Sequence, residues 1–367
     1  MALSNMKLYL FDFCEFGKNG STVYDASLKP RFDTVDTFLK RKVNLMKPLY
    51  ISFSGSTNRL ISFVKRLWNF LSLRFQFLIG RFRIMDSIVV MQYPLYSLEH
   101  RDFNYVMKYF KQRNNRVVFL VHDLNSIRYY DEHLNNDELM FQYADLCVLH
   151  STAMIEKSES LYPNAKYLAL EFFDYLLKYT INPQEDLRNI RLIFAGNLRK
   201  SKFLEKIDEC GFNKHFQLYL YGIYNDGLKC SDNIIYKGKF SPDSIHEIEG
   251  NWGLVWDGDS CETCSGDLGE YLRFNAPFKF SLYLAANRPV IVWKHSAMAE
   301  YVIKYNLGIV VNSINEIPYV IGDMSDNQLH KILESVAKVS AEVRNGYKLT
   351  NVINKIATFF EPSSYGK

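Results

Sequence analysis

Trp252-Gly253-Leu254-Val255-Trp256, then Asp257-Gly258-Asp259, then Asn275-Ala276-Pro277-Phe278-Lys279 and finally Arg288-Pro289-Val290-Ile291-Val292-Trp293 form the stretch that decides the fold. The first run is apolar throughout, as in a strand covered on both faces. A loop rich in glycine and carboxylates follows it. Pro277 suits a first helical turn, because its fixed φ matches the helix and its missing N–H would have had no partner there. Asn287 ahead of Pro289 ends that helix, and a second apolar strand begins. Strand, helix and strand in this order build a parallel sheet.

The same alternation extends outward. Leu8 to Phe11, Pro48 to Phe53, Ser87 to Met91 and Val117 to Val121 are short apolar runs, separated by segments of helical spacing such as Asp102 to Gln112. Asp145 to His150 is a further strand, with Ser151 as a helix N-cap. Asn182-Pro183-Gln184-Glu185-Asp186 has linker character, and a second series follows with strands at Arg191 to Ala195 and Gln217 to Tyr221. Asp326 to Phe360 is helical in periodicity. The reading is α/β, with one Rossmann-like domain over 1–180, a second over 187–345, and a helical segment over 346–367 that crosses back to the first. A length of 367 residues agrees with two domains.

Hydrophobic residues at 48% and charged residues at 23% exclude a disordered or disulfide-stapled chain. No run of 18 residues lacks a charge, and the N-terminus shows no secretory signal, so a cytoplasmic location is expected. The six cysteines read as reduced thiols, and Cys261-x-x-Cys264 as a loop without a second ligand pair for zinc. Walker A, Rossmann glycine-triplet, His-Glu-x-x-His and Gly-x-Ser-x-Gly motifs are all missing.

The chemistry is concentrated at strand ends. A helix opening near Pro277 offers free N–H groups and a positive dipole end, and Lys279 adds a full charge, a setting suited to a diphosphate. The competing reading makes Lys279 a solvated lysine and Asn275 a cap. Gly196-Asn197 and Tyr221-Gly222 end two neighbouring strands, where open sheets place ligands. In the first domain Asp123 follows a strand, with His122 beside it to orient or replace it, and Asp25 lies in the loop before Pro30. Each aspartate is a general-base candidate or, equally, a helix cap.

The string from Gly253 through Trp293 resembles bacterial galactofuranosyltransferases of lipopolysaccharide O-antigen synthesis. More loosely, it resembles the glucosyltransferase that extends glycans on streptococcal serine-rich-repeat adhesins. Phe194-Ala195-Gly196-Asn197-Leu198, Leu120-Val121-His122-Asp123 and Glu171-Phe172-Phe173-Asp174-Tyr175-Leu176 carry further likeness, so it spans both domains. The resemblance implies a GT-B fold, a nucleotide sugar between the domains and inversion at the anomeric carbon. It implies that Asn197 and Lys200 occupy the segment presenting a basic residue to the diphosphate, a lysine here replacing arginine and losing its bidentate fork. Phe240 falls where the family has an aromatic beside the uracil, and Lys279 matches the family lysine. Asn275-Ala276-Pro277-Phe278-Lys279 departs from the family's Asn-Asn-Pro-His-Lys, losing any bonds from the second Asn and the His. Asp25 matches an Asp-Ala pair of the galactofuranosyltransferases.

An inverting transfer of this kind needs a base, for which Asp25 and Asp123 compete, and positive groups for the departing diphosphate. Asp267 or Glu270, from the facing loop, is assigned to sugar hydroxyls. No cofactor or metal is expected, the uridine diphosphate sugar being a substrate, and Asp257-Gly258-Asp259 is not read as a metal motif. The expectation is transfer of a hexose, galactofuranose first, to a glycan or lipid-linked glycan. The alternatives are a glucosyltransferase acting on a protein-linked glycan, or a catalytically silent nucleotide-sugar-binding partner subunit. From Thr37 to Met85 there are ten Lys or Arg and no carboxylate. Within this, 58–83 interleaves cations with aromatics, which suits an anionic membrane surface or a homo-oligomer face better than nucleic acid.

Overall fold

The computed structural model describes residues 6–13, 28–50, 59–95, 98–129, 134–210 and 216–361. The first domain runs β1 (Leu8–Phe11), α1 (Lys29–Lys40), β2 (Asn44–Met46), α2 (Arg59–Leu78), β3 (Ile88–Tyr93), α3 (His100–Lys111), β4 (Arg116–Val121), α4 (Asn125–Arg128), α5 (Leu134–Tyr143), β5 (Leu146–Leu149), α6 (Thr152–Leu161) and β6 (Tyr167–Ala169). The second begins with β7 (Arg191–Asn197), β8 (Gln217–Ile223), β9 (Ile234–Gly238), β10 (Trp252–Val255), α7 (Gly266–Tyr271) and α8 (Phe278–Ala285). It continues through β11 (Val290–Trp293), α9 (Met298–Tyr305), β12 (Gly308–Val311), α10 (Ile317–Gly322) and α11 (Asp326–Arg344), and the chain closes with α12 (Tyr347–Phe359).

Each domain holds a six-stranded sheet, ordered β2-β1-β3-β4-β5-β6 in the first and β12-β11-β10-β7-β8-β9 in the second. Every strand pair named in them is parallel. β3, β5, β10 and β11 are buried along their whole length, which is why they read as apolar runs, broken only by Gln92 in β3. Ser151 caps α6 as expected, its hydroxyl accepting the Met154 N–H at 3.0 Å.

Two boundaries move. Ahead of the strand expected over Pro48 to Phe53, β2 lies at Asn44–Met46, and of the expected run 48–50 are not strand while 51–53 lie outside the described residues. Pro48 has no N–H to give a ladder, so the pairing ends before it. The long C-terminal helix is broken at Gly346, whose φ is +78°, into α11 and α12. β6, β9 and β12 were not among the expected strands.

The break returns α12 to the first domain, where Leu349, Val352, Ile353 and Ile356 join Leu10, Val90 and Val118 in one cluster. The carboxylate of Asp174 caps it, accepting the N–H groups of Lys348 at 3.1 Å and Leu349 at 2.7 Å. Nearby, Lys29 is buried and donates to Asp33 at 3.0 Å, to the Leu176 carbonyl at 3.1 Å and, in the second domain, to Asp243 at 3.2 Å. The cysteines differ from expectation: Cys261 is disulfide-bonded, while Cys147, Cys230 and Cys264 are free, so the Cys-x-x-Cys pair is not bridged to itself.

Burial pushes Asp174 up to about 7, against its two N–H bonds and the charge of Lys348, and pushes Asp33 up to about 6, against Lys29. The folded chain therefore keeps protons that the unfolded chain, with ordinary values of 3.8, has released. These two groups make stability highest below about pH 4 and erode it as pH rises to about 7. Denaturant midpoints measured across that window should fall for the native protein, and Asp174→Asn should flatten the decline.

Candidate active site

The carboxyl ends of both sheets meet around the segment 271–281. Gly253 permits this packing on the second-domain side: a Cβ there would lie 2.2 Å from the ring of Tyr283, which crosses β10 and accepts the Ala195 N–H at 2.8 Å. Lys279, in the first turn of α8, donates to the Trp256 carbonyl at 2.8 Å and to Asp257 Oδ2 at 2.9 Å. Its ammonium also stands 4.4 Å over the ring of Phe194. Ser201 donates to the other oxygen of Asp257 at 3.0 Å. Asp257 thus ties Lys279 to the turn that follows Asn197. That turn is close-packed: Gly222 has φ +135°, and a Cβ on it would fall 1.7 Å from the Gly196 carbonyl oxygen.

On the facing side, Asp123 pairs with Arg128 at 3.4 Å and accepts from Tyr271, a residue of the second domain. Burial raises its pKa above the ordinary carboxylate range; Arg128, Arg31, the Tyr271 hydroxyl and Lys200 pull the other way. Lys200 belongs to the second domain, so its charge acts on Asp123 across the domain junction. The Tyr271 hydroxyl also accepts the Leu124 N–H at 3.0 Å, and its ring joins the apolar cluster of the first domain.

Three further bonds clasp the same segment. Ser151 donates to the Phe274 carbonyl at 2.5 Å, the Ala276 N–H donates to His150 Nδ1 at 3.0 Å, and Ser281 donates to the Phe173 carbonyl at 2.6 Å. His150 Nδ1 accepts, so Nε2 carries the hydrogen and donates to the Val121 carbonyl at 2.9 Å. Burial brings His150 down to about 4, which keeps this tautomer neutral.

Asn197, Lys200, Asn275, Lys279 and Asp123 are therefore gathered in one region, and Asn275 Oδ1 is buried there without a hydrogen-bond partner. Phe240 follows β9 and packs edge-on against Tyr221 at 5.6 Å. Asp267 is exposed in the first turn of α7, and Glu270 accepts from Arg273 at 2.5 Å. His122 departs from its expected role: its Nε2 pairs with Gln92 at 2.8 Å and its ring stacks on Phe173 at 4.6 Å, not on Asp123. Burial, then Arg31 and His150, holds its pKa well below the usual value, so it is a neutral positioning group. Asp25 lies outside the described residues. Phe278, at the place of the family's histidine, stacks on Tyr175 at 4.9 Å. Arg31, Arg128 and Tyr271 were not anticipated; an arginine five residues after Asp123 was a signal available for Arg128, which closes α4, and nothing marked Tyr271. Among the described residues no group of three or more His, Cys, Asp or Glu is placed to hold a metal ion.

Models of the two halves of one family match here: the glucosyltransferase 3-like N-terminal domain over residues 63–161 and its C-terminal domain over 192–356. The chain belongs to this family. A similar relative is a beta-1,6-galactofuranosyltransferase, WbbI, of Escherichia coli strain K12, 29% identical over 75% of this chain and 84% of its own. Another is Glucosyltransferase 3 of Streptococcus gordonii, 25% identical over 71% of this chain and 76% of its own. Among solved structures, the lipopolysaccharide outer core galactosyltransferase WaaB aligns with TM-score 0.57 over 97% of this chain and 100% of that one, at 13% identity. Anabaena HepE, in a complex with UDP and glucose, aligns with TM-score 0.55 over 96% and 99%, at 12% identity. The fold of this glucosyltransferase 3-like protein is GT-B.

Tyr271→Phe leaves the Leu124 N–H without its acceptor and Asp123 without a donor. Stability should drop by about 1–3 kcal/mol, read from chemical denaturation.

Proposed function

We propose that this chain transfers a hexose from a uridine diphosphate sugar to a hydroxyl of a glycan acceptor, with inversion at the anomeric carbon. The observation that supports it most is Asp123, a carboxylate of the first domain, standing within the electrostatic reach of Lys200 of the second. A base faces the cations that would hold a leaving group. In this reading Asp123 takes the proton of the acceptor hydroxyl as its oxygen attacks the anomeric carbon. The bond from that carbon to the diphosphate oxygen breaks, and uridine diphosphate leaves. A raised carboxylate pKa makes a stronger base than an ordinary one.

Lys279, Lys200 and the opening of α8 supply positive charge to the departing diphosphate, so the proposal needs no metal ion. Asn197 and Asn275 bind the donor, with Phe240 beside the base, and Asp267 or Glu270 holds sugar hydroxyls. Asp25 remains the alternative base. The Escherichia coli relative, a beta-1,6-galactofuranosyltransferase, supports galactofuranose as the sugar; the setting in this reading is cell-surface polysaccharide or lipopolysaccharide synthesis. The streptococcal relative, a glucosyltransferase, supports a second reading in which the sugar is glucose; its acceptor in this reading is a protein-linked glycan.

Thermal melting against a panel of nucleotide sugars tests the donor, since a ligand of the native state raises the midpoint. Uridine diphosphate and its hexose conjugates should shift it, and Lys279→Ala should weaken them by about tenfold to a hundredfold, the loss of one charge-assisted contact. Equal shifts by unrelated nucleotides would overturn the donor assignment. Asp123→Asn should keep the shift and lower transfer by about 10²–10⁴-fold. Full turnover in Asp123→Asn with loss in Asp25→Asn would move the base to Asp25. A protein that binds donor yet releases no free uridine diphosphate would be the silent partner subunit.

A further inference from the structure

α2 is amphipathic the wrong way round for a helix covering a core. Its inward side buries Asn69, Leu73, Gln76 and Phe77. Gln76 is held there by the Leu49 backbone, accepting its N–H at 2.8 Å and donating to its carbonyl at 3.1 Å. The opposite side is apolar and open: Leu60, Val64, Leu67, Leu71, Phe75 and Leu78 recur at helical spacing, with Trp68 beside them. Trp68 is 54% exposed, Leu71 56%, Phe75 60% and Leu78 83%. A continuous patch of this kind is a binding surface, not scattered surface apolarity.

The rim of the patch identifies what covers it. At 3.6 residues per turn, Arg74 borders the stripe on one side, while Arg59 and Arg66 lie further round on that side and Lys65 further round on the other, toward the buried face. No cation interrupts the stripe itself. The whole stretch from Thr37 to Met85 contributes ten Lys or Arg and no carboxylate. The acidic groups that do reach α2 come from α3 and its approach, and they are engaged: Glu99 with Arg66 at 3.0 Å, Asp102 with Arg74 at 2.8 Å. α2 itself carries no carboxylate, so a second copy seated helix to helix on this face would offer its cations no partner from that helix. No helix of the described residues is long and apolar enough to cross a bilayer. An apolar strip between basic edges, on a helix that does not span, matches the boundary between acyl chains and anionic headgroups.

We propose that the outer face of α2 docks the protein on an anionic lipid leaflet, with the stripe from Leu60 to Leu78 at the acyl boundary and the flanking Arg and Lys at the headgroups. α3, bonded to α2 through those ion pairs, also gives His100 and Phe103 to a cavity of about 410 Å³ that reaches Arg128, the partner of Asp123. A docked α2 therefore stands one helix away from the candidate active site.

Trp68 makes the test specific, because the other three tryptophans, Trp252, Trp256 and Trp293, are fully buried in the second domain. The full chain is mixed with vesicles of phosphatidylcholine alone, or with about a third phosphatidylglycerol, and followed by co-sedimentation and tryptophan emission. Anionic vesicles should bind it about tenfold or more better than neutral ones, with a blue shift that Trp68→Phe removes and salt weakens. The double variant Leu71→Glu with Leu78→Glu, at two exposed positions, should lose binding while its melting temperature is retained. Three results would overturn the proposal: no vesicle binding, equal binding to neutral and anionic vesicles, or an oligomer in sedimentation that the double variant dissociates while native protein ignores lipid. A double variant that binds vesicles normally would also refute it.

Discussion

The Ala276 N–H bond to His150 Nδ1 sits where the two halves of the molecule are joined, and the site depends on it and its neighbours. A neutral imidazole is required, because a protonated ring would present a hydrogen to that N–H instead of a lone pair. Burial keeps it neutral. Beside it, Ser151 and the Phe173 carbonyl fix the backbone on either side, so the loop leading into α8 has little freedom to shift. The direction of α8, and with it the position of Lys279, follows from contacts made by the first domain.

That arrangement explains what sequence could and could not reveal. Strands such as β3 and β10 are buried on both faces and are apolar but for Gln92 near the end of β3, so their existence was legible. The proline at 277 and the asparagine at 287 bracketed α8 through local backbone chemistry. β6, with all three residues only half-buried, had no such signature. Lys279 could be placed by its helix position alone, whereas its partner Asp257 could be recognised only once the loop from β10 folded back over Ser201. Tyr271 shows the limit most clearly: a tyrosine on a short helix of one domain caps a backbone group and a carboxylate of the other, and no spacing encodes that.

His122 illustrates the opposite error. Adjacency in sequence to Asp123 suggested a cooperating pair, yet successive residues leaving a strand point to opposite sides. One turned to Gln92 and Phe173, the other toward Arg128 and Tyr271. The neutral, desolvated ring of His122 serves the architecture, leaving Asp123 alone to face the junction.

The Asp257–Lys279 pair has a consequence for the proposed transfer. An anion arriving at Lys279 must compete with a resident carboxylate, which is also braced by Ser201. The lysine is thus never left naked when the anion departs, since its own counterion takes the place back. Exchange of one partner for another costs less than stripping an ammonium to nothing, so under the proposed function a departing diphosphate would leave Lys279 paired, not bare.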